Sequence, residues 1–182
     1  MADANGWGSG SNVDIINNIA VTMIPIQHLV SGFSYILGLA FAFKAIATLK
    51  QYGESKTMMS SSANMKEPMI YLLVAAMCLY FPTALGIIIN TAFGSQQGGN
   101  ILATPVSNSS LFGSTVGRSL ALIIQTIGGI AFVRGWVLIA RASSQGQQPG
   151  GTGKGLVHIF GGILAMNIVL TLQVINNTLY GS

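Results

Sequence analysis

Charge is the scarcest feature of this chain. Only 7% of its 182 residues are Asp, Glu, Lys or Arg, against about a quarter in soluble domains. So few charges would not keep a folded surface dispersed in water, which argues against a soluble enzyme or binding module. Acid is scarcer still: Asp3, Asp14, Glu54 and Glu67 are the whole complement, and all four lie outside the apolar cores, Asp14 at the very start of the first stretch. General acid–base work needs titratable groups in a shared pocket, and proton-coupled transporters carry carboxylates within the membrane; neither pattern is present. One cysteine, Cys78, permits no intrachain disulfide and no thiolate metal site. In its apolar surroundings it reads as a small packing residue. The two histidines, His28 and His158, fall in separate apolar stretches and offer no clustered ligand set. The expectation is therefore no catalytic residue, no metal and no small-molecule cofactor. The first residues hold two acids and no Lys or Arg, unlike the basic start of a secretory signal. The first apolar stretch is also too long for a signal core, so a retained membrane helix is expected there.

What the chain has in abundance is uninterrupted apolar sequence. Residues 13–49, 68–93, 117–142 and 156–180 are each long enough to cross a hydrocarbon core of about 30 Å, which takes roughly 20 helical residues. They predict an all-α fold: a four-helix membrane protein, one integral membrane domain over 1–182, made of two tandem helical hairpins. Pro25 removes a backbone donor, so a break is expected there, with 13–24 interfacial and the crossing starting at Ile26. Pro68 suits a first helical turn. Pro82, deep in the second stretch, predicts a kink whose freed carbonyl a neighbour must satisfy. No residue-level repeat joins the two halves; their likeness is one of shape.

The cations are asymmetric. Lys50, Lys56 and Lys66 fall in the first connection with Lys44 just before it, and Arg141 and Lys154 bracket the third. Tail, middle connection and C-terminus hold no Lys or Arg, and Arg118 alone stands near that side. The positive-inside rule puts the basic connections in the cytoplasm, with both termini periplasmic in a bacterial inner membrane.

The segment GGTGK, Gly150 to Lys154, resembles a phosphate-binding loop but lacks its first glycine and the Ser or Thr after the lysine. It reads as a flexible basic turn. His28 has no acidic partner in its stretch and reads as a packing or interface histidine. Asn167 and Gln173 suit hydrogen bonding between helices. Arg134 is the unusual residue, inside the third stretch and about 10 Å of helix before Arg141. Two readings stand: a snorkelling anchor, or a contact to lipid phosphate in an oligomer. Gly128, Ala131 and Gly135 on the third stretch, with Gly161 and Ala165 on the fourth, form small-residue faces suited to close helix packing.

FVRGWVLIARAS (Phe132 to Ser143) and KGLVHIFGGILAMN (Lys154 to Asn167), with NVDIINN, PIQHLVSGFSYILG and FPTALGIIINTAFG in the first half, resemble the IcmC/DotE and TraQ membrane proteins. These serve Dot/Icm-type (type IVB) secretion and IncI-type conjugation. The likeness covers most of the chain and carries no enzymatic signature. It implies a membrane component of a conjugation or effector-delivery apparatus, with other type IVB components as partners. Conjugative pilins look like one helical hairpin with a basic cytoplasmic loop, and phospholipid fills the gaps between their subunits; this chain looks like two such hairpins fused. The likeness implies a polymer of copies of this chain with structural phospholipid. In an extracellular pilus, Lys44, Lys50, Lys56, Lys66, Arg134, Arg141 and Lys154 would meet lipid phosphate or the lumen. Neutralised by lipid, they would let DNA or protein pass without the strong binding a bare cationic wall imposes on a polyanion. A non-polymerising inner-membrane scaffold and a holin-like pore are the alternatives.

Overall fold

A computed structural model describes residues 10–57, 65–93, 115–144 and 150–181. Every regular element among them is an α-helix: α1 (Gly10–Thr57), α2 (Lys66–Leu79), α3 (Phe81–Phe93), α4 (Thr115–Ser143), α5 (Gly151–Met166) and α6 (Ile168–Tyr180). Two of them, α1 and α4, are long and apolar enough to cross a membrane alone. The number of spans rises to four if each bent pair, α2 with α3 and α5 with α6, counts as one. Length and composition of these helices are consistent with a membrane protein.

The helix boundaries depart from the sequence expectation in three places. The break expected at Pro25 is absent, and α1 runs through it as one helix. The fixed φ of proline is itself helical and only one backbone donor is lost; Pro25 also lies on an exposed face. At its other end α1 continues to Thr57, so part of the expected first loop is helical.

Secondly, the chain does more than kink at Pro82. It turns by 91° between α2 and α3 at Tyr80, whose φ of −96° and ψ of 23° leave the helical region. Pro82 cannot donate to the carbonyl of Cys78, four residues back. That carbonyl accepts a hydrogen bond from Ser34 Oγ on α1 at 3.0 Å, the compensation a proline inside an apolar bundle requires.

The third departure has no proline behind it. Asn167, expected to bond across a helix interface, is itself the hinge between α5 and α6, with φ −113° and ψ 41° and a turn of 87°. Asparagine favours such non-helical conformations. The carbonyl of Leu164 loses its helical partner there and accepts instead from Thr171 Oγ1 at 3.2 Å.

Packing is antiparallel within each half, α1 on α2 and α4 on α5, and α1 lies alongside α4. Across the latter interface the buried Gln27 donates through Nε2 to Thr126 Oγ1 at 2.9 Å, and Thr126 Oγ1 donates in turn to the Leu122 carbonyl at 2.8 Å. The core joins Tyr71, Val74 and Cys78 of α2 to Phe81, Leu85 and Ile89 of α3, together with Phe132 and Val133 of α4 and Ile159, Ile163 and Met166 of α5. The three α3 residues sit four apart, one face of a helix, so α3 has a seat in the bundle. By contrast α6 buries no residue. Large apolar side chains such as Leu29, Phe43, Val157 and Phe160 point outward.

Candidate functional site: the cationic end and Arg134

Antiparallel pairing brings the C-terminal part of α1, the start of α2, the end of α4 and the start of α5 to one end of the bundle. Tyr71 ties three of them together. Its buried ring stacks on Phe41 with centroids 6.2 Å apart, lies 4.5 Å beneath the Lys44 ammonium, and shares a 2.8 Å hydrogen bond between its hydroxyl and Ser144 Oγ. Lys44 is thus held by a cation–π contact, an attraction to the negative face of the ring.

The other cations of this end are exposed. Lys50 pairs with Glu54 at 3.7 Å one turn along α1, a surface pair of little energetic weight. Lys56 lies 5.8 Å from the Tyr52 ring. Lys66 opens α2. Arg141 stands in the last turn of α4, where a cation complements the helix dipole. Lys154 is in the first turn of α5, and its carbonyl lies 2.8 Å from His158 Nδ1. The parts of the basic connections at 58–64 and 145–149 lie outside the described residues. Six of the seven expected cations, all but Arg134, therefore gather at one end.

Arg134 stands apart. It is exposed on α4, and no carboxylate of the described residues pairs with it. It borders an open groove of about 270 Å³ between α1 and α4, lined otherwise by apolar side chains including Leu29, Phe33 and Leu37 of α1 and Ile130 and Val137 of α4. A guanidinium in such surroundings costs several kcal/mol unless it finds an anion or reaches the headgroups.

The packing residues divide. Gly128 and Gly135 lie in the α4–α5 seam. A Cβ on Gly128 would stand 2.7 Å from the Met166 nitrogen and 2.8 Å from the Gly162 carbonyl oxygen, with Ala165 Cβ at 3.0 Å; on Gly135 it would stand 2.8 Å from the Gly155 oxygen. Ala165 is therefore in the seam and Ala131 is half-buried. Gly161 is not a seam residue: it is exposed and a Cβ there meets nothing within 4 Å. The glycines of α5 that face α4 are Gly151, Gly155 and Gly162, the last two seven apart like Gly128 and Gly135. That matched spacing was the overlooked signal. Gly38, against Leu79, Ser34, Tyr71 and Thr126 were also missed, since each matters only through a partner far away in sequence.

Among the described residues no three His, Cys, Asp or Glu side chains gather as a metal site would require. The indole Nε1 of Trp136 is buried without a hydrogen-bond partner, its ring edge-on to Phe132 at 6.1 Å. What this arrangement offers chemically is a cationic end, one isolated guanidinium beside an apolar groove, and a wide apolar exterior. No protein-family model, no curated protein and no solved structure matches the chain.

Proposed function

We propose that this protein is a non-enzymatic membrane subunit of a type IVB conjugation or secretion apparatus, polymerising as a pilin-like subunit of the pilus or translocation channel with bound phospholipid. The observation that carries the reading is the tandem pair of antiparallel helix pairs with cations collected at one end; the resemblance in FVRGWVLIARAS and KGLVHIFGGILAMN supplies the apparatus. In the membrane the chain makes four crossings, each bent pair counting as one, with the cationic end cytoplasmic and both termini periplasmic. In the polymer that end meets lipid phosphate or the lumen, and the uncharged remainder makes the exterior and the subunit contacts.

The test is to shear extracellular filaments from transfer-competent cells, image them, and identify their protein by mass spectrometry. Filaments built of this chain are expected. Cells that transfer DNA or effectors while their filaments lack it refute the polymer. Reporter fusions at residues 60 and 148 are expected to report a cytoplasmic location; an external signal refutes the orientation.

A second reading, a non-polymerising inner-membrane scaffold, draws on the two hinges, which leave only α1 and α4 as full-length spans. It predicts a low copy number at fixed stoichiometry with other components after detergent extraction.

A further inference from the structure

The two halves are one device built twice. Each has a long helix, an antiparallel return helix, a single non-helical residue, a near right-angle turn and a 13-residue helix. The contacts correspond as well. A Cβ on Gly38 would meet the backbone nitrogen of Leu79 at 2.9 Å, and one on Gly128 that of Met166 at 2.7 Å. Leu79 and Met166 each immediately precede a hinge. Six residues beyond each of these glycines stands a cation, Lys44 in one half and Arg134 in the other. Nine residues before each hinge stands an aromatic ring, Tyr71 and His158.

The halves are not level. Gln27 lies eleven residues before Gly38, so its counterpart is Gly117; yet Gln27 bonds to Thr126, nine residues further along α4. At 1.5 Å per residue the second half is displaced by ~13 Å along the bundle axis. This slip accounts for Arg134. It is the Lys44 of the second half, carried away from the cationic end.

Like units related by an axial slide meet head to tail. Such a contact does not close on itself and leaves one complementary face open at either end. Both open faces are identifiable. Thr126 and Val133, which receive the first half, have counterparts Ile36 and Phe43 on α1, 65% and 72% exposed. Val30 and Leu37, which the first half brings to that contact, have counterparts Leu120 and Ile127 on α4, 43% and 58% exposed. The seated α3 has as its counterpart α6, which buries nothing.

We infer that a second copy of this chain docks there, its Ile36–Phe43 face on Leu120, Ile127 and α6 of the first, repeating the contact already made inside each chain. The polar contact has a counterpart too: that of the Tyr71–Ser144 hydrogen bond sets His158 of one copy against Glu54 of the next. The inference rests on the polymer reading and specifies its joint.

Full-length Phe43→Cys/Leu120→Cys, each single variant, and Gln27→Cys/Thr126→Cys are to be oxidised in native membranes and in sheared filaments. Both positions of the first pair are exposed, and the natural Cys78 is buried. The double variant is expected to lose monomer into a ladder of dimer, trimer and higher species that neither single variant gives. The Gln27/Thr126 pair is expected to bridge within one chain and run as a compact monomer. A double variant that stays monomeric while the Gln27/Thr126 pair bridges overturns the joint, as does a single variant that dimerises as well as the double. Filaments of this chain lacking the 43–120 bridge defeat the joint and spare the pilus; a ladder in membranes beside filaments free of this chain does the reverse.

Discussion

Gly161 and Gly162 are neighbours on α5 with opposite expected responses to a single methyl group. At Gly162 a Cβ would stand 2.8 Å from the Gly128 carbonyl oxygen, 2.8 Å from the Phe132 nitrogen and 3.0 Å from Phe132 Cβ. Two of these atoms are backbone, which no rotamer change can move, so α4 and α5 must part along the seam. Forcing a methyl into a packed interior costs roughly 1–3 kcal/mol. At Gly161 the same methyl meets nothing within 4 Å, and Gly to Ala in a helix gains up to about 1 kcal/mol. Gly162→Ala should therefore be less stable than Gly161→Ala by about 1–3 kcal/mol, the overpacking cost alone, because the propensity gain is common to both. Reversible unfolding in detergent, followed by far-ultraviolet circular dichroism, measures the difference. Stabilities equal within about 0.5 kcal/mol, the scatter of ordinary surface changes, would refute the close approach of the two backbones.

Three further outcomes follow from individual contacts. Ser34→Ala removes the donor to the carbonyl that Pro82 orphans and should cost about 1–3 kcal/mol; restoring a backbone donor with Pro82→Ala in the same chain should recover much of it, and no recovery would detach Ser34 from the hinge. Thr126→Val leaves the buried Gln27 Nε2 without its 2.9 Å acceptor and should destabilise more than the Gln27→Leu/Thr126→Val double change does, whereas Gln27→Leu leaves Thr126 bonded to the Leu122 carbonyl; a double-mutant cycle reads the difference directly. Trp136→Phe deletes a buried indole N–H that has no partner, so it should cost less than the 3–5 kcal/mol typical of truncating a buried tryptophan to alanine; thermal unfolding of both variants compares them.

The helical class and the approximate position of each apolar stretch were legible because both follow from local composition. Of the hinges, a kink at Pro82 was legible but its size and the turn at Asn167 were not, because proline and asparagine act through context. Pro25 sits on an exposed helix face and is absorbed, Pro82 accompanies a 91° turn because Ser34 can satisfy the carbonyl it frees, and Asn167 turns the chain with no proline at all. The cationic end was readable from charge alone, since Lys44 to Lys66 and Arg141 to Lys154 flank the two turns of a simple hairpin pattern. The seam was half readable: Gly128 and Gly135 announce themselves by spacing, but choosing Gly162 over Gly161 requires the azimuth of α5 against α4. The correspondence of the halves stayed hidden because it is carried by contacts. Gly38 and Gly128 share a role against Leu79 and Met166, while the residues around them differ.

The hinges also set how this protein would sit in lipid. The return limbs α2 and α5 hold 14 and 16 residues, only about 21 and 24 Å of rise, well short of a typical 30 Å hydrocarbon slab. A bilayer enclosing the bent form must dimple towards it or the elbows must open, and either response costs a fraction of a kcal/mol per Å of mismatch. Acyl-chain length thus becomes a dial on the elbow angle: short-chain lipid favours the folded limbs, long-chain lipid the straightened ones, and departure from the bilayer removes the bias altogether.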